Sequence, residues 1–257
     1  MTDMKYSIIF FSLVLMSASC KKDATGTTTG STNGGSSSAT VPDVYKKIYG
    51  AISITSDGTN LTIKTNGMPD HKSAYYPAGN ALYEAFSGTT FKGATFNKNP
   101  NSILSQSYTF KIPVSPKEAA SKQATPLGPI GVTVNGVPFF NQYAGPNQPL
   151  TGEIVSFDQG WGHPAPGGMY HYHVDPIYLT RTKLSKSALL GFLLDGFPVY
   201  GPEENNAIVA NSALDAYHGH KHITEDFPNG IYHYHITDAD PYINGNGFFG
   251  SPGTVSK

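Results

Sequence analysis

The seven residues Gly168-Met169-Tyr170-His171-Tyr172-His173-Val174 return 62 positions later as Gly230-Ile231-Tyr232-His233-Tyr234-His235-Ile236. Tyr, Val and Ile favour strands, and on a strand residues i and i+2 point to the same face. His171 and His173 therefore share one face while Tyr170 and Tyr172 share the other, and the second copy repeats the pattern. Each copy predicts a strand carrying two imidazoles side by side, ~6–7 Å apart at Cα. A helical reading would scatter the same residues around a cylinder and waste the alternation.

The rest of the chain agrees with strands. Its 28 glycines and 19 prolines, with only 14% charged residues, exclude a helical bundle or coiled coil. A hydrophobic content of 39%, including 12% aromatics, supplies a core and excludes wholesale disorder. Seventeen basic against eighteen acidic residues leave no excess positive charge to neutralise phosphates, so no nucleic-acid partner is expected. Alternation over 51–57 and 61–66, around Asp57-Gly58-Thr59-Asn60, predicts a pair of strands. Residues 107–113 and 153–157 each predict a strand, and 130–134 runs through Asn135-Gly136 into 137–140 as a hairpin. The apolar run 189–194 predicts a central buried strand that turns at Asp195-Gly196 into 197–200. Residues 80–86 and 183–188 suit short helical turns. The expected fold is mainly β: a single β-rich, sandwich-like domain with short helical turns and long Gly/Pro-rich loops.

The N-terminus reads as an address. An apolar run over residues 8–16, preceded by Lys5, is too short for a finished membrane span and suits a signal-peptide core. Ser17-Ala18-Ser19-Cys20 resembles the lipobox of bacterial lipoproteins, with Ser17 where Leu is more usual. That resemblance implies cleavage before Cys20 and lipidation of its sulfur. Cys20 is the single cysteine of the chain, so no internal disulfide is expected. Residues 24–40, almost wholly Gly, Ser, Thr and Ala, read as a flexible tether. The expected spans are a signal peptide over 1–19, lipidated Cys20 and tether over 20–41, and the folded domain over 42–257. The implied location is the bacterial cell envelope, extracytoplasmic and held to a membrane by its lipid.

Eight of nine histidines fall between positions 163 and 235. Neutral imidazole is the commonest biological ligand of transition metals, and zinc or copper accepts a nitrogen-rich set. His163, His171, His173, His220, His233 and His235 are the candidate ligands. The two copies are expected to converge on one shared site with His163 and His220 at its rim. Asp175, Asp195, Asp215 and Asp238 are candidate partners orienting the rings. His71 sits in a loop that could reach the site, whereas His218 is expected to face solvent. The competing reading is a non-catalytic binding or adhesion module for a small molecule or glycan, its histidines serving as packing and hydrogen-bond partners.

Taken together, Asn66-Gly67-Met68-Pro69-Asp70-His71, Gly162-His163-Pro164, both Tyr-His-Tyr-His segments, and Leu194 to Gly201 resemble the YHYH domain family of exported bacterial proteins. Leu214-Asp215 with Gly219-His220, Pro241-Tyr242 and Gly247 to Gly250 extend the resemblance to residues 45–253. Family members often carry cysteines near the first Gly-His-Pro and the Leu-Asp segment, and here Gly160-Trp161 and Ala216-Tyr217 stand there. Packing by Trp161 and Tyr217 is expected in place of a disulfide. The resemblance implies no settled reaction.

Overall fold

Asp57 sets the first turn: its carboxylate accepts the N–H groups of Thr59 and Asn60, which closes β1 (Ala51–Ser56) onto β2 (Asn60–Thr65). β3 (Tyr108–Pro113) follows, then β4 (Glu118–Gln123), and the hairpin of β5 (Gly131–Thr133) and β6 (Pro138–Phe139). A small hairpin of β7 (Tyr143–Ala144) and β8 (Gln148–Pro149) leads into the one-turn helix α1 (Thr151–Ile154). Next come β9 (His163–Ala165) and β10 (Met169–His171), then β11 (Leu189–Leu193) and β12 (Pro198–Tyr200). The hairpin of β13 (Glu203–Glu204) and β14 (Ala207–Ile208) precedes β15 (Gly219–His222) and β16 (Ile231–His235). β17 (Phe248–Gly250) returns to β4, and β18 (Thr254–Ser256) closes the chain beside β3. This computed structural model describes residues 39–257. The signal peptide, Cys20 and residues 20–38 of the tether lie outside the described residues.

Two sheets share one core. The first has the order β1-β2-β3-β18, and the second β15-β16-β12-β11-β5-β6. β2 and β3 alternate, burying Leu61, Ile63, Phe110 and Ile112 while exposing Lys64 and Lys111. β5, β11 and β12 are buried throughout, as strands covered on both faces must be. Tyr45 lays its ring on Phe192 at 4.5 Å, and Thr65 Oγ1 donates to the Gly136 carbonyl, tying the first sheet and its preceding turn to the second. The fold is mainly β, as the residue pattern predicts.

The second sheet holds a symmetry larger than the seven-residue repeat. Gly131 to Asn141 and Gly191 to Gly201 correspond at an offset of 60, with Gly131/Gly191, Gly136/Gly196 and Pro138/Pro198 identical. β5 and β11 pair antiparallel with Val132 opposite Phe192, so equivalent residues face one another across a pseudo-two-fold axis. Outward from that seam, each hairpin receives its Tyr-His-Tyr-His segment in parallel. Phe139 bridges Tyr172 on one side, and Val199 pairs with Tyr234 on the other. The two glycines permit the seam. A Cβ at Gly131 would lie 2.4 Å from the Phe192 oxygen, and one at Gly191 2.2 Å from the Val132 oxygen.

Three local expectations are corrected. Residues 153–157 form no strand: α1 runs through Ile154, with the Glu153 and Ile154 N–H groups closing onto the Leu150 carbonyl. Residues 80–86 carry turns without a helix, fixed by Asn80 Oδ1 accepting the Leu82 N–H. The helical turn placed at 183–188 is a π-helical turn lying earlier, at Leu179–Lys183.

Because backbone stands where each seam methyl would go, Gly131→Ala and Gly191→Ala should each destabilise by about 1–3 kcal/mol, the usual cost of overpacking. Thermal unfolding would show the drop in Tm. A control, Gly79→Ala, meets no atom within 4 Å and should leave Tm unchanged.

Candidate metal centres

Each half builds the same loop in front of its histidine strand. Asp158 and Asp215 stand five residues before His163 and His220. Asp158 accepts the N–H of Gly160 and the hydroxyl of Tyr170, both at 2.8 Å. Asp215 accepts the N–H of Tyr217 and the hydroxyl of Tyr232, both at 2.9 Å. The glycine before each histidine is required by the tyrosine: a Cβ would come within 2.6 Å of the Tyr170 ring at Gly162 and 2.5 Å of Tyr232 at Gly219. So the buried Tyr face of each repeat docks on the Asp-x-x-x-Gly loop, and the opposite face presents its imidazoles.

The antiparallel register then sets a third imidazole beside the pair. His163 pairs with His171, and His220 with His233. In the first half, His171 Nε2 lies 3.0 Å from His163 Nε2 and 2.9 Å from His173 Nε2. A carboxylate oxygen of Glu153 lies 3.5 Å from His163 Nε2 and 3.7 Å from His173 Nε2. In the second half, His233 Nε2 lies 3.2 Å from His220 Nε2 and 3.1 Å from His235 Nε2. Glu204 reaches all three rings there, at 3.4, 3.4 and 3.9 Å. Each group of one glutamate and three histidines keeps its donor atoms within 4.8 Å of one another. Donors held in a tetrahedron at ~2.0–2.1 Å from one ion are about 3.3–3.4 Å apart, so the separations suit a single small cation.

Hydrogen bonds on the far side of four of the rings fix their tautomers. Nδ1 of His171 faces the Met169 carbonyl, that of His173 the Asn141 carbonyl, that of His233 the Ile231 carbonyl and that of His235 the Gly201 carbonyl. A carbonyl only accepts, so each Nδ1 carries the proton and each Nε2 keeps its lone pair. Burial disfavours a second proton. It holds His163 and His171 well below the ordinary imidazole range, aided by neighbouring histidines, and lowers His173 and His233 to about 4. His235 is lowered in the same way. The Nε2–Nε2 contacts of His171 with His173 and of His233 with His235 are thus contacts between acceptors. The carboxylates differ. Burial raises Glu153, whereas the hydrogen bond from His222 and the nearby imidazoles outweigh burial at Glu204 and lower it.

The two copies do not form one shared site; each makes its own, because each repeat strand pairs with the Gly-His strand before it. His163 and His220 are full members of their groups. His218 does not face solvent: it is 2% exposed, with Nε2 3.0 Å from Thr237 Oγ1. His71 joins neither group, and its Nε2 accepts from the Tyr172 hydroxyl at 2.9 Å. None of the expected aspartates orients a ring. Asp195 accepts from the Tyr234 hydroxyl at 2.6 Å, Asp215 holds Tyr232, and Asp175 accepts from Thr180. Trp161 and Tyr217, which stand where relatives carry cysteines, pack on Phe91 and on Phe249 respectively. Glu153 and Glu204 were not anticipated. Their one sequence signal is proximity to the two hairpins.

The metal-free protein should lose stability in acid. The lowered rings bind fewer protons folded than unfolded, so their contribution is complete above 6.5 and is lost as pH falls toward about 4. One ring shifted that far accounts for at most about 3 kcal/mol. With chelator present, the urea midpoint at pH 5 should lie clearly below that at pH 7.5. His218→Gln should flatten the dependence.

Among known families, the chain matches the one described as YHYH protein, over residues 109–209 and 202–247. Comparisons with curated proteins and with solved structures find no match. The matched stretch, more than half of the chain, contains the β5–β11 seam and both histidine groups, and the chain belongs to the YHYH family.

Proposed function

We propose that this protein binds transition metal ions, one at Glu153, His163, His171 and His173 and one at Glu204, His220, His233 and His235. One observation carries the reading. Unprotonated imidazole nitrogens meet at 2.9 Å between His171 and His173 and at 3.1 Å between His233 and His235, with no donor between them. A cation at their centre turns that repulsion into coordination. The donor set is three imidazoles and a carboxylate with no sulfur, which suits zinc or Cu(II) rather than a soft Cu(I) site. The backbone carbonyls behind Nδ1 fix ring orientation, as outer partners of metal-bound histidines do. Bound metal would supply Lewis acidity or, for copper, electron transfer; the protein residues supply the fixed geometry.

The anchored, extracytoplasmic setting is part of the same proposal and rests on Ser17-Ala18-Ser19-Cys20. Among the described residues, no helix is long and apolar enough to cross a membrane. Cys20→Ala should abolish incorporation of labelled fatty acid, and label retained in that variant would refute the anchor.

Elemental analysis of the chain purified without a histidine tag should find two zinc or copper ions per chain after loading and dialysis. His171→Ala and His233→Ala should each reduce that to one, and His218→Ala should leave it at two. A stable protein that retains no metal would return the histidines to the packing role of a binding module.

A further inference from the structure

The two groups are not equivalent in how they cap their imidazoles. Glu204 lies within 4 Å of all three rings of its group, and its Oε1 also accepts from His222 Nδ1 at 2.9 Å. That carboxylate is held over the ion position from one side by a fourth histidine. Glu153 approaches only His163 and His173 within that distance, which leaves the His171 flank uncapped. Among the described residues no side chain clamps Glu153 in the way His222 clamps Glu204; its carboxylate is met by the Gly145 backbone N–H instead.

The uncapped flank faces space. All four residues of the Glu153 group line a cavity of about 630 Å³, within the range of small-molecule sites. Of the Glu204 group, only Glu204 and His235 line the cavity on their side. Phe140 forms one wall of the first cavity, stacked on His171 at 3.9 Å, and the half-exposed Tyr143 stands further out. Asn97 supplies an amide, whereas Asn99 and Asn101 donate theirs to the Pro164 carbonyl and Lys98 is committed to the Ala74 carbonyl. Gly152 stands at the lining, where a Cβ would meet no atom within 4 Å.

We propose that the Glu153 group is the ligand-binding centre, taking a small polar molecule with an oxygen or nitrogen donor onto its metal beside His171, while the Glu204 group is closed to added ligands. The proposal rests on the metal-binding reading above. Each ion is held by four protein donors, so an added ligand takes a fifth position, as zinc sites can accept, and the His171 flank of the Glu153 group is where that position opens. The lining offers the Asn97 amide and an aromatic face with no uncommitted fixed charge, so it selects polarity and shape rather than charge.

The test uses the whole chain loaded with Cu(II) and azide as the probe, followed by its charge-transfer absorption. Copper is counted first: fewer than two ions per chain overturns the metal reading, independently of what azide does. With two present, one azide per chain is expected. His220→Gln should keep one copper and the azide band, and His163→Gln should keep one copper and lose the band. Gly152→Trp should retain two coppers and weaken azide at least tenfold by filling the cavity. Azide on both ions, azide on neither, or a band surviving in His163→Gln would overturn the assignment. Circular dichroism matched to the parent chain qualifies each variant, and should Gly152→Trp misfold, the His163→Gln and His220→Gln pair decides alone.

Discussion

The antiparallel contact of β5 with β11 is the constraint on which the histidine architecture depends. Gly131 and Gly191 let two backbones approach where any side chain would collide with a carbonyl oxygen. Val132 faces Phe192 across the seam, and the hairpins on either side turn at Asn135-Gly136 and Asp195-Gly196. Each hairpin then offers one edge, and each edge takes one Tyr-His-Tyr-His segment in parallel. The result resembles an isologous dimer interface enclosed in a single chain. Two groups arise because the seam makes two edges.

Within each half, tyrosine and histidine do opposite work on the two faces of one strand. Tyr170 reaches the buried Asp158 and Tyr232 the exposed Asp215, and each forces glycine before the third histidine. Tyr234 finds Asp195, whereas its counterpart Tyr172 meets Asn135 and His71. That exchange explains His71: with Asn135 standing where the other half has Asp195, the Tyr172 hydroxyl needs an acceptor, and the His71 ring supplies it. Burial pushes Asp195 up to about 6 and also raises Asp158, so these carboxylates are held by hydrogen bonds against the cost of desolvation.

Much of this was legible in the sequence because period 2 is a strong signal. It placed His171 with His173 and His233 with His235 on shared faces, and the Asn-Gly and Asp-Gly turns located the central hairpins. What failed were relations that period 2 does not encode. Whether two repeat strands meet each other or their own neighbours is a matter of register and edge availability, and here the Gly-His strands took the edges. The larger duplication has three identities in eleven positions, Gly131/Gly191, Gly136/Gly196 and Pro138/Pro198, and its meaning appears only when Val132 is seen opposite Phe192. His218 looked solvent-facing in a polar run, yet its backbone takes φ 72° at the end of the Asp215 loop, which turns the ring inward. Glu153 was hidden by reading its segment as a strand.

The glutamates discriminate between coordination and packing. Histidines duplicated along with their strands would be expected at equivalent places whatever they do, so their symmetry alone is neutral. The carboxylates break that symmetry. Glu153 comes from α1, after the β7–β8 hairpin, while Glu204 ends β13 within the hairpin itself; the position equivalent to Glu204 in the first half is Ala144. Two unrelated positions have therefore delivered the same functional group to the imidazoles of each half, beside two nitrogens that keep their lone pairs. A packing role gives no reason for this in the first half, where burial raises Glu153 and its carboxylate is set beside imidazole acceptors at a desolvation cost. A cation turns contacts between acceptors into coordination, and each half holds such contacts, between His171 and His173 and between His233 and His235.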